Sequence, residues 1–374
     1  MRYLTILLAL SIILSGCGKK RSEYASFFVQ PVENERNILF ESLDIETFIV
    51  TLPSSSHLGF SGIGSDRIYF NDRYTCRIYE FDKDINMVAR HLGKGRGPKE
   101  IPLSSIGGFT TSDNGDFLLV GFTRDLFVYD SEFNFRSETC FIAWPVPDDK
   151  RSLFERDDFY NQLNYDHIII IPHKDRIYFN VLVDADEFNI SHHDYYCNAR
   201  ILIEVDMQDG TILRTFGRLS PEIKYMSAFW HFQYDIDENG YFYLSFEPDH
   251  LIYVYDNDYN IIYSFGHAGR DMNMDHLQLT LDETYMRRAT VERKDKGHYT
   301  SIKKIGDYVF RTYKTGSPAN VDRLQIYHGT TLIADVDVPP DFAVLGYIAP
   351  YYYSHFVGDE RAETLTIHMF RLDM

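Results

Sequence analysis

The chain has 374 residues, 44% of them hydrophobic, and a formal charge of −18 at neutral pH. That length supports a large buried core, and that charge excludes nucleic acid, itself a polyanion, as a natural partner. Four cysteines against 28 tyrosines and 28 phenylalanines exclude a disulfide framework and point to a core built from aromatic rings.

From the N-terminus, Arg2 precedes a mostly apolar run over 3–14. The run is too short to span a bilayer as a helix and has the proportions of the hydrophobic region of an export signal. Leu14, Ser15, Gly16 and Cys17 follow, and this tetrapeptide resembles a bacterial lipobox. The resemblance implies removal of residues 1–16 and attachment of diacylglycerol to the sulfur of Cys17, so that a lipid bilayer is a partner through the acylated cysteine. An ordinary export signal ending beside a chance cysteine is the other reading. Losing the leader removes Arg2 and no acid, which takes the charge from −18 to −19. Residues 17–36, in which G-K-K-R follows Cys17, show little pattern, as a tether does. Surface-exported lipoproteins of Bacteroidota usually carry acidic residues just after the cysteine, so the basic run directs the expectation to the outer membrane, facing the periplasm. Cys76, Cys140 and Cys197 are odd in number, so at most one disulfide forms among them.

Beyond the tether the chain repeats. D-R-I-Y-F-N occurs at 66–71 and again at 175–180, and related turn-plus-strand runs start at Gly115, Asn239 and Gly306. Each is followed by a second apolar run, four of which end on Asp82, Asp130, Asp206 and Asp256. The first and second of these ends are 48 residues apart and the last two are 50 apart; the wider gaps hold inserts. A further short run then closes on Gly93, Gly217 or Gly266. Short antiparallel strands repeating every 40 to 50 residues or so describe a β-propeller blade. Six blades are predicted at about 58–102, 103–145, 165–222, 223–270, 298–339 and 340–374. The last is one strand short, and residues 37–52 have no blade of their own, so they are expected to supply its outer strand and close the ring. The propeller domain is therefore predicted over 37–374, with a helical insert at about 272–297. Residues 280–294 place Thr280 and Glu283 in capping-box register ahead of Tyr285 and Met286, on a helix expected either over the rim or against the side of the disc.

The run from L-G-K-G-R-G-P at 92–98 to L-F-V-Y-D at 126–130 resembles the NHL-type and TolB-like six-bladed propeller repeat, with its glycine-rich loop and the turn D-N-G-D over Asp113 to Asp116. Together with the lipobox, the pattern resembles Bacteroidota lipoproteins that carry such a propeller and whose function is undetermined. The resemblance implies a fold and a compartment, and no reaction.

The glycine-rich stretch 91–102 has the look of a phosphate loop, but Pro98 stands where a third glycine belongs and Pro102 prevents a helix from starting there. It reads instead as a connection between blades. Blade-to-blade connections and the loops between second and third strands share one face of a propeller, and here they carry Lys94, Arg96, Arg218, His267 and Arg270, with Arg73, Arg77, Arg124, His250, Arg323 and His355. Of these, Arg73, Lys94, Arg96, Arg124, Arg218 and Arg270 are candidate ligands for a small anion such as a carboxylate or phosphate, or for an acidic glycan, with an envelope protein as the other kind of partner; the alternative is that each pairs with a nearby acid such as Asp72, Asp125 or Asp271. His193, Asp194 and Cys197 lack metal-ligand spacing, and neither G-x-S-x-G nor H-E-x-x-H occurs, so the sequence names no metal, cofactor or catalytic residue. A binding or scaffolding module of the envelope is expected; a hydrolase or lyase working in the funnel, or a subunit of an envelope complex, are the alternatives.

Overall fold

Runs such as FLLVG (Phe117–Gly121) and FYLSF (Phe242–Phe246) are buried at every position. Continuous burial of this kind arises when a strand lies in a sheet covered on both faces by neighbouring sheets. The computed structural model describes residues 24, 26–97, 99–112, 114–122, 124–142, 150, 156, 160, 162–163, 168–183, 185, 188–280 and 282–372. The leader, Cys17, Asp113 and the expected start of the third blade at 165 lie outside them.

Six antiparallel sheets form a propeller ring, as predicted. Blade 1 is Gly59–Ile63, Ile68–Asp72, Arg77–Phe81 and Met87–Leu92, and blade 2 is Ile106–Thr111, Phe117–Gly121, Asp125–Tyr129 and Phe135–Cys140. Blade 3 is Ile170–His173, extended by Gln162–Leu163, then Arg176–Leu182, Leu202–Asp206 and Ile212–Phe216. Blade 4 is Phe232–Ile236, Phe242–Phe246, Ile252–Tyr255 and Ile261–Phe265; blade 5 is Lys296–Ile305, Tyr308–Gly316, Asp322–His328 and Thr331–Val338. Blade 6 is Val344–Ile348, Tyr351–Ser354 continued by Val357–Asp359, and Thr364–Phe370. The missing strand of blade 6 comes from the N-terminal side, as the strand count required. Strand β3 (Ile45–Val50) pairs antiparallel with Thr364–Phe370, with Phe48 opposite Ile367.

Two further N-terminal strands were not foreseen. β1 (Val32–Glu33) adds in parallel to the outer strand of blade 4, and β2 (Glu35–Phe40) adds in parallel to that of blade 5. Ahead of them the Tyr24 hydroxyl donates to the Leu219 carbonyl (2.8 Å) and Phe28 sits edge-on to Tyr253. The described part of the segment read as a tether is thus laid along the outside of the disc, over blade 4 and onto the edge of blade 5.

The inner strands surround a hollow axis of about 440 Å³. Blades converge there, and small residues make room: a side chain on Gly62 would strike the Phe109 ring, one on Gly108 would strike Ile170, and one on Gly346 would strike Ile63. The inner strands of blades 1, 2 and 6 thereby each receive one side chain from the next blade. Farther out, tyrosines fasten blades to connections through their hydroxyls, which is why Tyr rather than Trp dominates the core. In blade 5 the hydroxyls of Tyr299, Tyr313 and Tyr327 accept the N–H groups of Gly269, Arg270 and His267, pinning the connection from blade 4. Between the same blades Arg311 is fully buried; it lies over the Tyr299 ring and donates to the Ser245 hydroxyl and to the carbonyls of Asp249 and His250.

Among the described residues two helices sit on the face that carries the connections: α1 (His193–Asn198), between the second and third strands of blade 3, and α2 (Tyr285–Asp295), between blades 4 and 5. Helix α2 starts five residues later than Thr280, and the expected capping box does not form. The Asp282 carboxylate accepts the N–H and hydroxyl of Thr284, and that local turn competes with helix geometry. None of the helices among the described residues is long and apolar enough to cross a membrane. No disulfide joins any two of Cys76, Cys140 and Cys197, and burial pushes the Cys76 thiol up to about 11.

Candidate functional site at the mouth of the channel

The inner strands of blades 4 and 5 begin on the connection face, so their first residues open onto the channel mouth. His231 stands just ahead of Phe232–Ile236, and His298 and Thr300 open Lys296–Ile305. Glu247 follows the second strand of blade 4, Lys314 lies on that of blade 5, and Asp341, Phe342 and Ala343 lead into blade 6. The last turn of α2 supplies Arg293. These side chains line a cavity of about 410 Å³, and Gln233 lines both this cavity and the channel beneath it. The size lies within the range of small-molecule sites.

The charges in the cavity are paired. Arg293 clasps both oxygens of Glu247 and also donates to the Ala228 carbonyl (2.7 Å). Burial would raise the Glu247 carboxyl, but the Arg293 guanidinium outweighs it and holds the group below the usual carboxylate range. Lys314 pairs with Asp341 (2.7 Å) and Asp322 (3.6 Å). Burial pushes the His298 imidazole down to about 4, Arg293 adding to the effect and Glu247 opposing it, so the ring is neutral at pH 7. Its Nδ1 donates to the Lys296 carbonyl (3.2 Å), which leaves Nε2 as an acceptor. Behind it, His276 stacks on Phe229 and donates to the Gly297 carbonyl. Deeper in the channel Asp235 holds Lys303 (3.1 Å), and burial together with Lys303 pushes His355 down to about 4.

The cations singled out from sequence do not gather at this mouth. Arg73 lies over the Phe122 ring, Lys94 donates to the Ser104 carbonyl (2.9 Å), Arg218 lies over Phe27, and Arg270 pairs with Asp337 (3.3 Å). Arg96 lines a separate groove with Glu100, Phe127 and Tyr129 where blades 1 and 2 meet. Arg124 is a loop residue of blade 2 with a φ of 68°. None of these six lines the mouth or the channel. Arg323 is held by Asp271 and Asp337, which fasten it between blades. Among the described residues no group of three His, Cys, Asp or Glu side chains converges as a metal site.

Sequence reasoning missed Glu247, Arg293, His298 and Lys314, which come from four elements and converge only when blades 4 and 5 pack together. A usable signal was present: His231 and His298 occupy the entrance ends of consecutive inner strands, a register position that faces the mouth of any propeller.

No protein-family model matches the chain, and no curated protein matches it in sequence. Solved structures do match in fold. A member of the DUF4221 family from Bacteroides vulgatus aligns over 88% of this chain and 98% of its own, with a TM-score of 0.61 and 12% identity. A protein from Bacteroides fragilis described as exported aligns over 92% of this chain and 99% of its own, with a TM-score of 0.51 and 12% identity. At that identity the likeness is one of fold: this chain shares the six-bladed propeller of those Bacteroides proteins.

Proposed function

We propose that the protein is a lipid-anchored binding module of the bacterial envelope, held through Cys17 at the periplasmic side of the outer membrane, and that its ligand enters the channel mouth between blades 4 and 6. The observation that carries this reading is the lining of the cavity: two ion pairs and a neutral imidazole around hydroxyl and amide groups, beside the ring of Phe342. Such a surface offers many hydrogen bonds and little net charge, which suits a neutral polyhydroxylated ligand such as a glycan segment better than a small anion. Four of the six rim cations already have the carbonyl, carboxylate or aromatic partners described above, so the mouth is the stronger site. The likeness to an exported Bacteroides protein supports the compartment.

The test is calorimetric titration with neutral hexasaccharides (maltohexaose, cellohexaose, chitohexaose) and with oligogalacturonate as the acidic comparison. Binding of a neutral saccharide, lost in His298→Leu, is expected; binding of the acidic saccharide alone, or binding that His298→Leu leaves intact, overturns the reading. Fatty-acid labelling that persists in Cys17→Ala overturns the anchor. A neutral imidazole close to the Arg293 guanidinium favours a second reading, a lyase on an acidic glycan with His298 as the base, which would release an ultraviolet-absorbing unsaturated sugar end.

A further inference from the structure

The inner face of α2 is fully engaged. Tyr285 and Ala289 pack on Ala228, Phe229 and Leu279, Glu292 accepts the Leu277 N–H, and Arg293 clasps Glu247. Its outer face is not. Met286, Arg287, Thr290, Val291 and Lys294 are all exposed, with Met286 at 73% and Val291 at 55%, and Leu277 beside them at 52%. Apolar side chains interleaved with cations on one exposed helix face are the pattern of a helix that lies in a membrane interface. Arg287 and Lys294 are the cations of this face, and the exposed acids Asp282, Glu283 and Asp295 lie at its two ends.

The chain's own anchor selects the occupant. Seven peptide units separate Cys17 from Tyr24, and fully extended they reach no more than about 25 Å. Tyr24 is fixed to the disc: its hydroxyl donates to Leu219, and it lies beside Cys197 and Arg218. Next to Cys197, the Tyr196 hydroxyl accepts the Met226 N–H; the Met226 carbonyl accepts Leu279, and Tyr285 of α2 donates to the adjoining Ser227. The anchor point and α2 thus belong to one sector of the connection face, around blades 3 and 4. Lys19, Lys20 and Arg21 lie between Cys17 and that sector, where they favour an anionic leaflet.

We infer that α2 rests on the bilayer that holds Cys17, with Met286, Val291 and Leu277 entering the headgroup boundary and the channel mouth opening into the gap between disc and membrane. The inference rests on the lipid anchor proposed above. It is tested on residues 17–374 carrying Cys140→Ser and Cys197→Ser, with Cys17 coupled through a maleimide to phosphatidylethanolamine in vesicles of phosphatidylethanolamine and phosphatidylglycerol. Coupling imposes the anchor, so the result is independent of the labelling experiment that tests Cys17 in cells.

Hydrogen exchange over 274–294 should slow several-fold in the coupled protein relative to the same protein capped with a soluble maleimide. The double variant Met286→Asp, Val291→Asp should lose that protection while keeping the thermal midpoint of the parent. Unchanged exchange over 274–294 overturns the inference and leaves the face to a protein partner. Protection of the opposite-face turns 83–86, 131–134 and 257–260, or protection that survives in the double variant, also overturns it.

Discussion

His298 shows how one side chain reports both the packing and the chemistry of the mouth. Its imidazole falls from an ordinary 6.5 to about 4 because burial penalises the charged ring. Between those values the unfolded chain binds a proton that the folded chain refuses, so stability is complete above pH 6.5 and declines as the pH falls toward 4. At pH 5 this one group should lower stability by about 2 kcal/mol relative to pH 7. Glu247 acts in the same direction but lower on the scale, since its depressed carboxyl contributes stability above about pH 4.5 that is lost below it. The range from pH 7 to 5 therefore isolates histidines. Urea unfolding at the two pH values should show a smaller acid loss in His298→Gln than in the parent, by about 2 kcal/mol; equal losses would show that the ring is not buried neutral. The remaining loss in the variant is expected from His276, His355 and His368, whose imidazoles burial also lowers.

Among elements, the turn between third and fourth strands is the most regular device in the fold. Asp82, Asp130 and Asp256 each accept the backbone N–H groups two and four residues on, and the residue three places on, Ile85, Phe133 or Tyr259, has a φ near 62°. This left-handed conformation costs a non-glycine residue about 1 to 2 kcal/mol. It is offset because the conformation drives the side chain into the neighbouring blade. The Phe133 ring stacks between His91 (3.8 Å) and Phe117 (4.4 Å), and Tyr259 stacks on Phe216 (3.7 Å). Phe133→Ala should cost about 4 kcal/mol, while Phe133→Gly should cost roughly 1 kcal/mol less, because glycine regains the strain that alanine keeps. Thermal unfolding that ranks alanine above glycine would remove the strain argument. The recurring Asp ends were visible in sequence and gave the blade spacing. The positive φ was not, since isoleucine, phenylalanine and tyrosine carry no preference for it and only the facing blade explains their presence. The start of α2 was misplaced for a related reason: Thr280 and Glu283 have capping-box spacing, but the bonds from Asp282 to Thr284 take precedence.

Across the whole molecule, ring closure depends on one non-covalent seam. Strand β3 contributes six residues to blade 6, from Ile45 opposite Phe370 to Val50 opposite Leu365, and without them Thr364–Phe370 would be an open edge. Phe48→Pro should remove ladder bonds and open that edge. Hydrogen exchange over 364–370 is then expected to rise sharply while 117–121 in blade 2 stays protected; unchanged exchange over 364–370 would mean that the ring does not depend on β3.

What the sequence determined by itself was everything periodic: six units, their strand order, the short last blade and the early segment that completes it. These are local patterns of turn residues and alternating side chains, which a chain displays before it folds. What only the tertiary structure decided was everything that depends on which blades become neighbours. The parallel strands β1 and β2, the partners that occupy four of the rim cations, and the meeting of Glu247, Arg293, His298 and Lys314 at one mouth all join residues far apart in sequence. Their separations come from the turning of six sheets about an axis, and no window of sequence carries that information.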